Sequence, residues 1–159
     1  MACFIYQTSI GNIYIEETNN YITKLQLVSN NLHLELQNTP MNESPLTKKT
    51  FLQLEEYFKG KRTSFDLPLN PKGTPFQKKI WNALLTIPYG QTKSYLDIAT
   101  IIGNPKAVRA VGLANHNNPI MIVIPCHRVI GKNGKMVGYA CGISVKEQLL
   151  SLEKEVCGI

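Results

Sequence analysis

Residues 124–131, IPCHRVIG, close an apolar run with a cysteine, a histidine and an arginine side by side. Only a thiolate attacks carbon well, and a free cysteine of pKa about 8.5 is a few per cent thiolate at neutral pH. Cys126 would therefore need its proton removed, and His127 is the residue type that most often does this. Neighbouring side chains of an extended chain point to opposite faces, so cooperation between the two needs a turn or a bridging water, and Pro125 favours a turn. A carboxylate would then orient the imidazole. Glu153, close to the apolar side of the last helical stretch, is the candidate. Taken alone, the pair favours the plainer reading of a buried thiol that happens to precede a histidine.

The surrounding pattern says what could position these groups. "FIYQTS", "NIYIEE", "YITKLQLV" and "LHLELQ" alternate with period two and predict four half-buried strands, with Asn19-Asn20 suited to a tight hairpin turn. "SPLTKKTFLQLEEYFKGK" predicts a helix capped by Ser44, with Pro45 in its first turn and Gly60 at its end. Turn residues in "RTSFDLPLNPKG" put a domain boundary near residue 70. Beyond it, helices are expected from Thr74-Pro75 to before Pro88, over "SYLDIATIIG", and over "NPKAVRAVGLANHNN" with Asn104 as cap. The last two form a helix-turn-helix candidate. "IMIVI" (120–124) predicts a buried strand, and "SVKEQLLSLEKE" a final helix with a Ser144–Glu147 capping box. The expected fold is α/β (α+β): a strand-rich α/β module over residues 1–70, then a helical domain with a helix-turn-helix and a short sheet over 71–159.

Charge is unevenly spread between those parts. Residues 1–70 carry a net charge of −1 and residues 71–159 a net of +7. A basic excess on the side of the Cys-His pair suits either a solvated surface or a polyanion partner such as DNA. In the second predicted helix of the pair, Ala107, Ala110 and Gly112 are small and Arg109 projects from among them. That composition fits close helix packing, or a helix trimmed to approach a nucleic-acid backbone with one long cation reaching in. The four cysteines (Cys3, Cys126, Cys141, Cys157) show neither CxxC pairs nor zinc spacing, so no metal is expected and no cofactor motif is visible. No apolar run is long enough for a membrane span, and no signal peptide is recognisable. These points predict a cytoplasmic protein without a membrane partner, and monomeric by default.

"GTPFQKKIW", "IPYGQTKSY", "GNPKAVRAVG", "NNPIMIVIPCHRVIG" and the GY…G…K…LL…LE pattern, in this order and spacing, closely resemble the O6-alkylguanine-DNA alkyltransferases (methylated-DNA–protein-cysteine methyltransferases) over about residues 73–153. The resemblance implies double-stranded DNA carrying O6-alkylguanine as partner, with O4-alkylthymine left open as a second lesion, and a transfer that uses each molecule once. It makes Cys126 the alkyl acceptor, His127 a base acting through water, and Glu153 its holder. Asn118 would fix the turn before the cysteine, and Tyr95 would stand beside the flipped nucleotide and give a proton to the leaving guanine. Arg109 would fill the gap in the duplex, and Tyr139 and its loop would wall the guanine pocket.

The pocket loop departs from the family's G-Y-x-G-G. Here it reads Gly138-Tyr139-Ala140-Cys141-Gly142. Ala140 removes a hydroxyl found in some members. Cys141 would either narrow the pocket or pair with Cys126. Two other functions remain open at this point: an alkylated-DNA-binding protein that transfers nothing, and a helix-turn-helix regulator that senses redox through its cysteine. The first lacks an acceptor cysteine, and the second leaves the Cys-His-Glu set unexplained.

Overall fold

The computed structural model describes residues 1–134 and 142–158. The chain divides into two compact units, Met1–Pro71 and Lys72–Ile159.

The first unit is built on an antiparallel sheet of β1 (Ala2–Thr8), β2 (Gly11–Thr18) and β3 (Tyr21–Leu27), in that order. Asn19 and Asn20 both take positive φ (53° and 66°), the pair of left-handed residues that a two-residue turn of primed type demands. Alternation buries Ile13 and Ile15 of β2 completely, and a register shift opposite Glu16 and Glu17 brings Ile22 and Leu25 of β3, three apart, into the core as well. The predicted fourth strand is instead a short helix, α1 (Asn30–Glu35). Ser29 caps it by accepting the Leu32 amide (3.1 Å). Leu32 and Leu36, four apart, face the core with Cys3 and Tyr14, whereas Leu34 is 62% exposed. The leucines therefore follow the helical period, and the cap at Ser29 decides between the two patterns.

α2 (Pro45–Phe58) begins where expected, with Ser44 and Thr47 exchanging hydrogen bonds as a capping box. Its buried Gln53 grips the backbone of Asp66 through both amide atoms, and Pro68–Asn70 then zips onto Ile22 of β3. These contacts satisfy the polar backbone of the return segment inside the first unit.

The second unit runs α3 (Pro75–Leu84), β4 (Lys93–Ser94), α4 (Tyr95–Ile101), α5 (Val108–His116), β5 (Val129–Ile130) and α6 (Ile143–Cys157). α3 opens on a Thr74–Gln77 capping box, and α4 on a Ser94–Asp97 box. The Trp81 indole on α3 donates to the Ala114 carbonyl on α5 (2.9 Å), and α4 packs on α5. β4 and β5 pair in parallel, which sets the entry to α4 beside the exit from the Cys-His segment.

Three boundary expectations fail for local reasons. α5 starts at Val108 rather than at an Asn104 cap; Asn104 accepts the Ala107 amide in a turn, and Ala107 holds the N-cap position without a side-chain bond. α6 starts one residue before Ser144, with Gly142 (φ 95°) at the cap position, so the Ser144–Glu147 box does not form. The "IMIVI" strand is also absent, as described next.

Candidate active site

Residues 118–126 fold into consecutive tight turns tied by one side chain. Asn118, almost fully buried, donates from Nδ2 to the carbonyls of Ile120 (3.2 Å) and Ile124 (2.8 Å) and accepts the Ile120 amide at Oδ1 (3.0 Å). Between these anchors the Val123 amide bonds the Met121 carbonyl across Ile122, whose φ is +70°. The Cys126 amide bonds the Ile124 carbonyl across Pro125, at φ −80° and ψ 63°. The second is an inverse γ-turn that proline favours; the first has the positive φ of the rarer, strained γ-turn. A strand would need partners for these backbone groups, and Asn118 supplies turns in their place. Ile120–Ile124 are still buried, which is why their composition is that of a core strand.

Cys126–Arg128 then form a single 3₁₀ turn, and Cys126 is 4% exposed. Its neighbour His127 is completely buried. Nε2 of His127 lies 2.6 Å from Oε2 of Glu153, which is also buried. Arg128 binds the same carboxylate from Nε (2.8 Å) and Nη2 (3.1 Å), and the Gly90 amide donates to Oε1 (3.1 Å). Glu153 is thus saturated with four donors. Burial pulls the His127 pKa below its ordinary value; Glu153 opposes this, while Arg128 and Lys146 reinforce it. The imidazole is neutral as a result. A carboxylate can only accept, so Nε2 carries the hydrogen and the lone pair lies on Nδ1. Nδ1 is buried and has no hydrogen-bond partner among the described residues.

Four residues of this site went unread in the sequence. Arg128 was visible in the motif but had no role until its bidentate grip on Glu153 was seen. Gly90 holds φ +79°, and a Cβ there would lie 2.5 Å from the Cys157 sulfur, so the amide that reaches Glu153 requires glycine. Lys146 is completely buried, with Nζ donating to the Val129 carbonyl; burial lowers its pKa and Cys126 acts against that shift. Asn115, 1% exposed, donates from Nδ2 to the Cys126 carbonyl (3.3 Å). Only a helical-wheel count placing Lys146 and Glu153 two turns apart on one face could have flagged the lysine.

Tyr95 is half-buried at the start of α4. Burial, and then the nearby Cys126, raise its phenol pKa, while a hydrogen bond from Asn115 lowers it. A Cβ on Gly112 would stand 3.9 Å from the Tyr95 ring, an ordinary contact, so this small residue has the tyrosine as its neighbour within the unit. Arg109 and Ala110 are exposed on α5, beside Val108 (37% exposed) and Leu113 (63%); Ala107 and Gly112 are half-buried. Tyr139, Ala140 and Cys141 lie outside the described residues.

Two family models match: the DNA binding domain of 6-O-methylguanine DNA methyltransferase over residues 75–155, and the ribonuclease-like domain of the same proteins over residues 1–71. The chain belongs to the 6-O-methylguanine DNA methyltransferase family. Among its relatives is the methylated-DNA–protein-cysteine methyltransferase of Methanosarcina acetivorans, 47% identical over 94% of this chain and 96% of that protein. The constitutive enzyme of that name from Bacillus subtilis is also 47% identical, over 93% of this chain and 92% of its own. The crystal structure of Mycobacterium tuberculosis OGT in complex with DNA superposes with a TM-score of 0.89 at 42% identity, covering 98% of this chain and 94% of that one. Within this methyltransferase, the turns held by Asn118 deliver Cys126, and Glu153 of α6 ties the Gly90 turn to the Cys-His-Arg segment.

Proposed function

We propose that this methyltransferase repairs duplex DNA by moving the alkyl group of O6-alkylguanine onto Cys126, one group per protein molecule. The observation that carries the assignment is the neutral His127 beside Cys126, its Nε2 held by Glu153 and its Nδ1 without a partner among the described residues. α4 and α5 act as a helix-turn-helix on the duplex, with the small residues Ala107, Ala110 and Gly112 allowing close approach and Arg109 filling the space of the rotated nucleotide. Rotation out of the stack costs a few kcal/mol, and is necessary because a stacked base cannot offer its alkyl carbon in line with sulfur. The protein acts as a monomer in the cytoplasm.

In the reaction, the Cys126 proton passes through water to Nδ1 of His127. Sulfur attacks the alkyl carbon, the S–C bond forms as the C–O6 bond breaks, and the electron pair departs with guanine. The Tyr95 phenol supplies the proton that makes the leaving base neutral guanine, and the imidazolium returns a proton to the phenolate. The product is a thioether that none of these groups can cleave, so turnover ends there.

The test is to incubate the protein with duplex DNA carrying O6-methylguanine and to weigh it. A gain of one methyl group, absent in Cys126→Ala, is expected. Tight binding to the lesion with unchanged mass would overturn the proposal in favour of a damage-binding protein; preference for one undamaged sequence would favour a regulator.

A further inference from the structure

Asn115 stands out because nothing in the repair scheme above uses it, although it is an amide buried at the centre of the site. It sits on α5, is 1% exposed, and lies one helical turn after Gly112. Residues three apart share a helix face. Gly112 faces the ring of Tyr95 and Asn115 bonds its phenol oxygen, so both contact the same tyrosine. The orientation of the amide follows from its other contact. The Cys126 carbonyl can only accept, so the group 3.3 Å from it is the NH2, which donates one hydrogen there. The bond from Asn115 that lowers the Tyr95 pKa is one donated to the phenol oxygen, and the second amide hydrogen supplies it. Oδ1 is left buried with no partner among the described residues. A buried acceptor left unmatched is unfavourable by about 1–3 kcal/mol, and leucine of similar volume would avoid that cost. The amide is therefore kept for its two donors.

We infer that Asn115 is a positioning residue for alkyl transfer: anchored on the Cys126 carbonyl, it holds the Tyr95 phenol in register with the acceptor sulfur and polarises it as a proton donor. A hydroxyl that accepts a hydrogen bond donates its own more strongly. Asn115 thereby couples the two ends of one displacement, the attacking sulfur and the group that protonates the departing base. This inference rests on the role given to Tyr95 under the proposed function.

The experiment is a double-mutant cycle of Asn115→Leu and Tyr95→Phe, read by the single-turnover rate of methyl transfer from saturating O6-methylguanine duplex. General acid catalysis is worth roughly 10²–10⁴-fold. Asn115→Leu alone should lose at least about tenfold of that rate, and should lose almost nothing further once Tyr95 is Phe. Alkylation of Cys126 by iodoacetamide needs no proton for a purine leaving group, so its rate should stay within about twofold in Asn115→Leu. If the two losses multiply independently, or if the iodoacetamide rate falls as far as methyl transfer, Asn115 merely supports the cysteine loop and the inference is wrong. Should Asn115→Leu not fold, Asn115→Ala, which suits a helix, takes its place in the same cycle. A wild-type protein that gains no methyl group would instead refute the proposed function itself.

Discussion

At the residue scale, the site depends on keeping one histidine neutral in a completely buried place. Burial disfavours the imidazolium of His127, and the guanidinium of Arg128, spread over Glu153, blunts the carboxylate that would otherwise favour it. The folded-state pKa lies below the ordinary 6.5 as a result. Two consequences have the same sign. The unfolded chain takes up the His127 proton before the folded protein does, so this contribution to stability is complete above about pH 6.5 and is lost as pH falls below it toward the folded value. Urea midpoints measured from pH 8 to 5 should show that decline, and His127→Gln should remove the His127 share of it. Methyl transfer should likewise keep its base at mildly acidic pH, so the acid limb of the single-turnover rate should have its midpoint below 6.5. A midpoint at or above 6.5 would mean that Glu153 outweighs burial.

At the scale of elements, the loop that carries Cys126 holds a β-branched residue in a backbone region that β-branched residues avoid. Ile122 at φ +70° stores about 1–2 kcal/mol of strain that glycine would release. Its side chain is also 1% exposed, and truncating a buried isoleucine costs about 2–5 kcal/mol. Burial wins. Ile122→Gly should therefore destabilise the protein by about 1–3 kcal/mol in denaturant unfolding, and slow methyl transfer as Cys126 loses its fixed approach; a stabilised variant would show that strain dominates. The same loop shows what the sequence could and could not disclose. "IMIVI" reports burial correctly but not conformation, because its backbone partners come from the Asn118 side chain and from its own tight turns. "LHLELQ" fits both periods, and only the cap at Ser29 selects the helix. Elements whose signals are local were legible: the caps Ser44 and Thr74 that open α2 and α3, and the Asn19-Asn20 turn. Cys126, His127 and Glu153 were legible as types and as a family pattern, whereas the donors around Glu153 come from residues 90 and 128 and could only be found folded.

At the scale of the whole molecule, the two parts of the chain differ in charge, with the entire basic excess after residue 70. If that excess neutralises phosphates, affinity for undamaged duplex must fall steeply with salt, since each neutralised phosphate contributes a slope of about −0.9 in log K against log salt. Arg109 allows the two modes of contact to be separated. It stands exposed on α5 among Val108, Ala110 and Leu113, none of which can bind a phosphate through its side chain. A residue inserted into the stack neutralises no single phosphate in the ground-state complex, so Arg109→Ala should leave the salt slope on undamaged duplex within a few tenths of wild type. It should at the same time lower the rate of methyl transfer from O6-methylguanine duplex by about tenfold or more, because nothing then fills the gap left by the rotated nucleotide and the few kcal/mol of unstacking go uncompensated. Transfer from the free O6-alkylated base, which needs no rotation, should be unaffected. A slope reduced by about one unit, with duplex and free-base transfer slowed alike or not at all, would make Arg109 an ordinary phosphate contact.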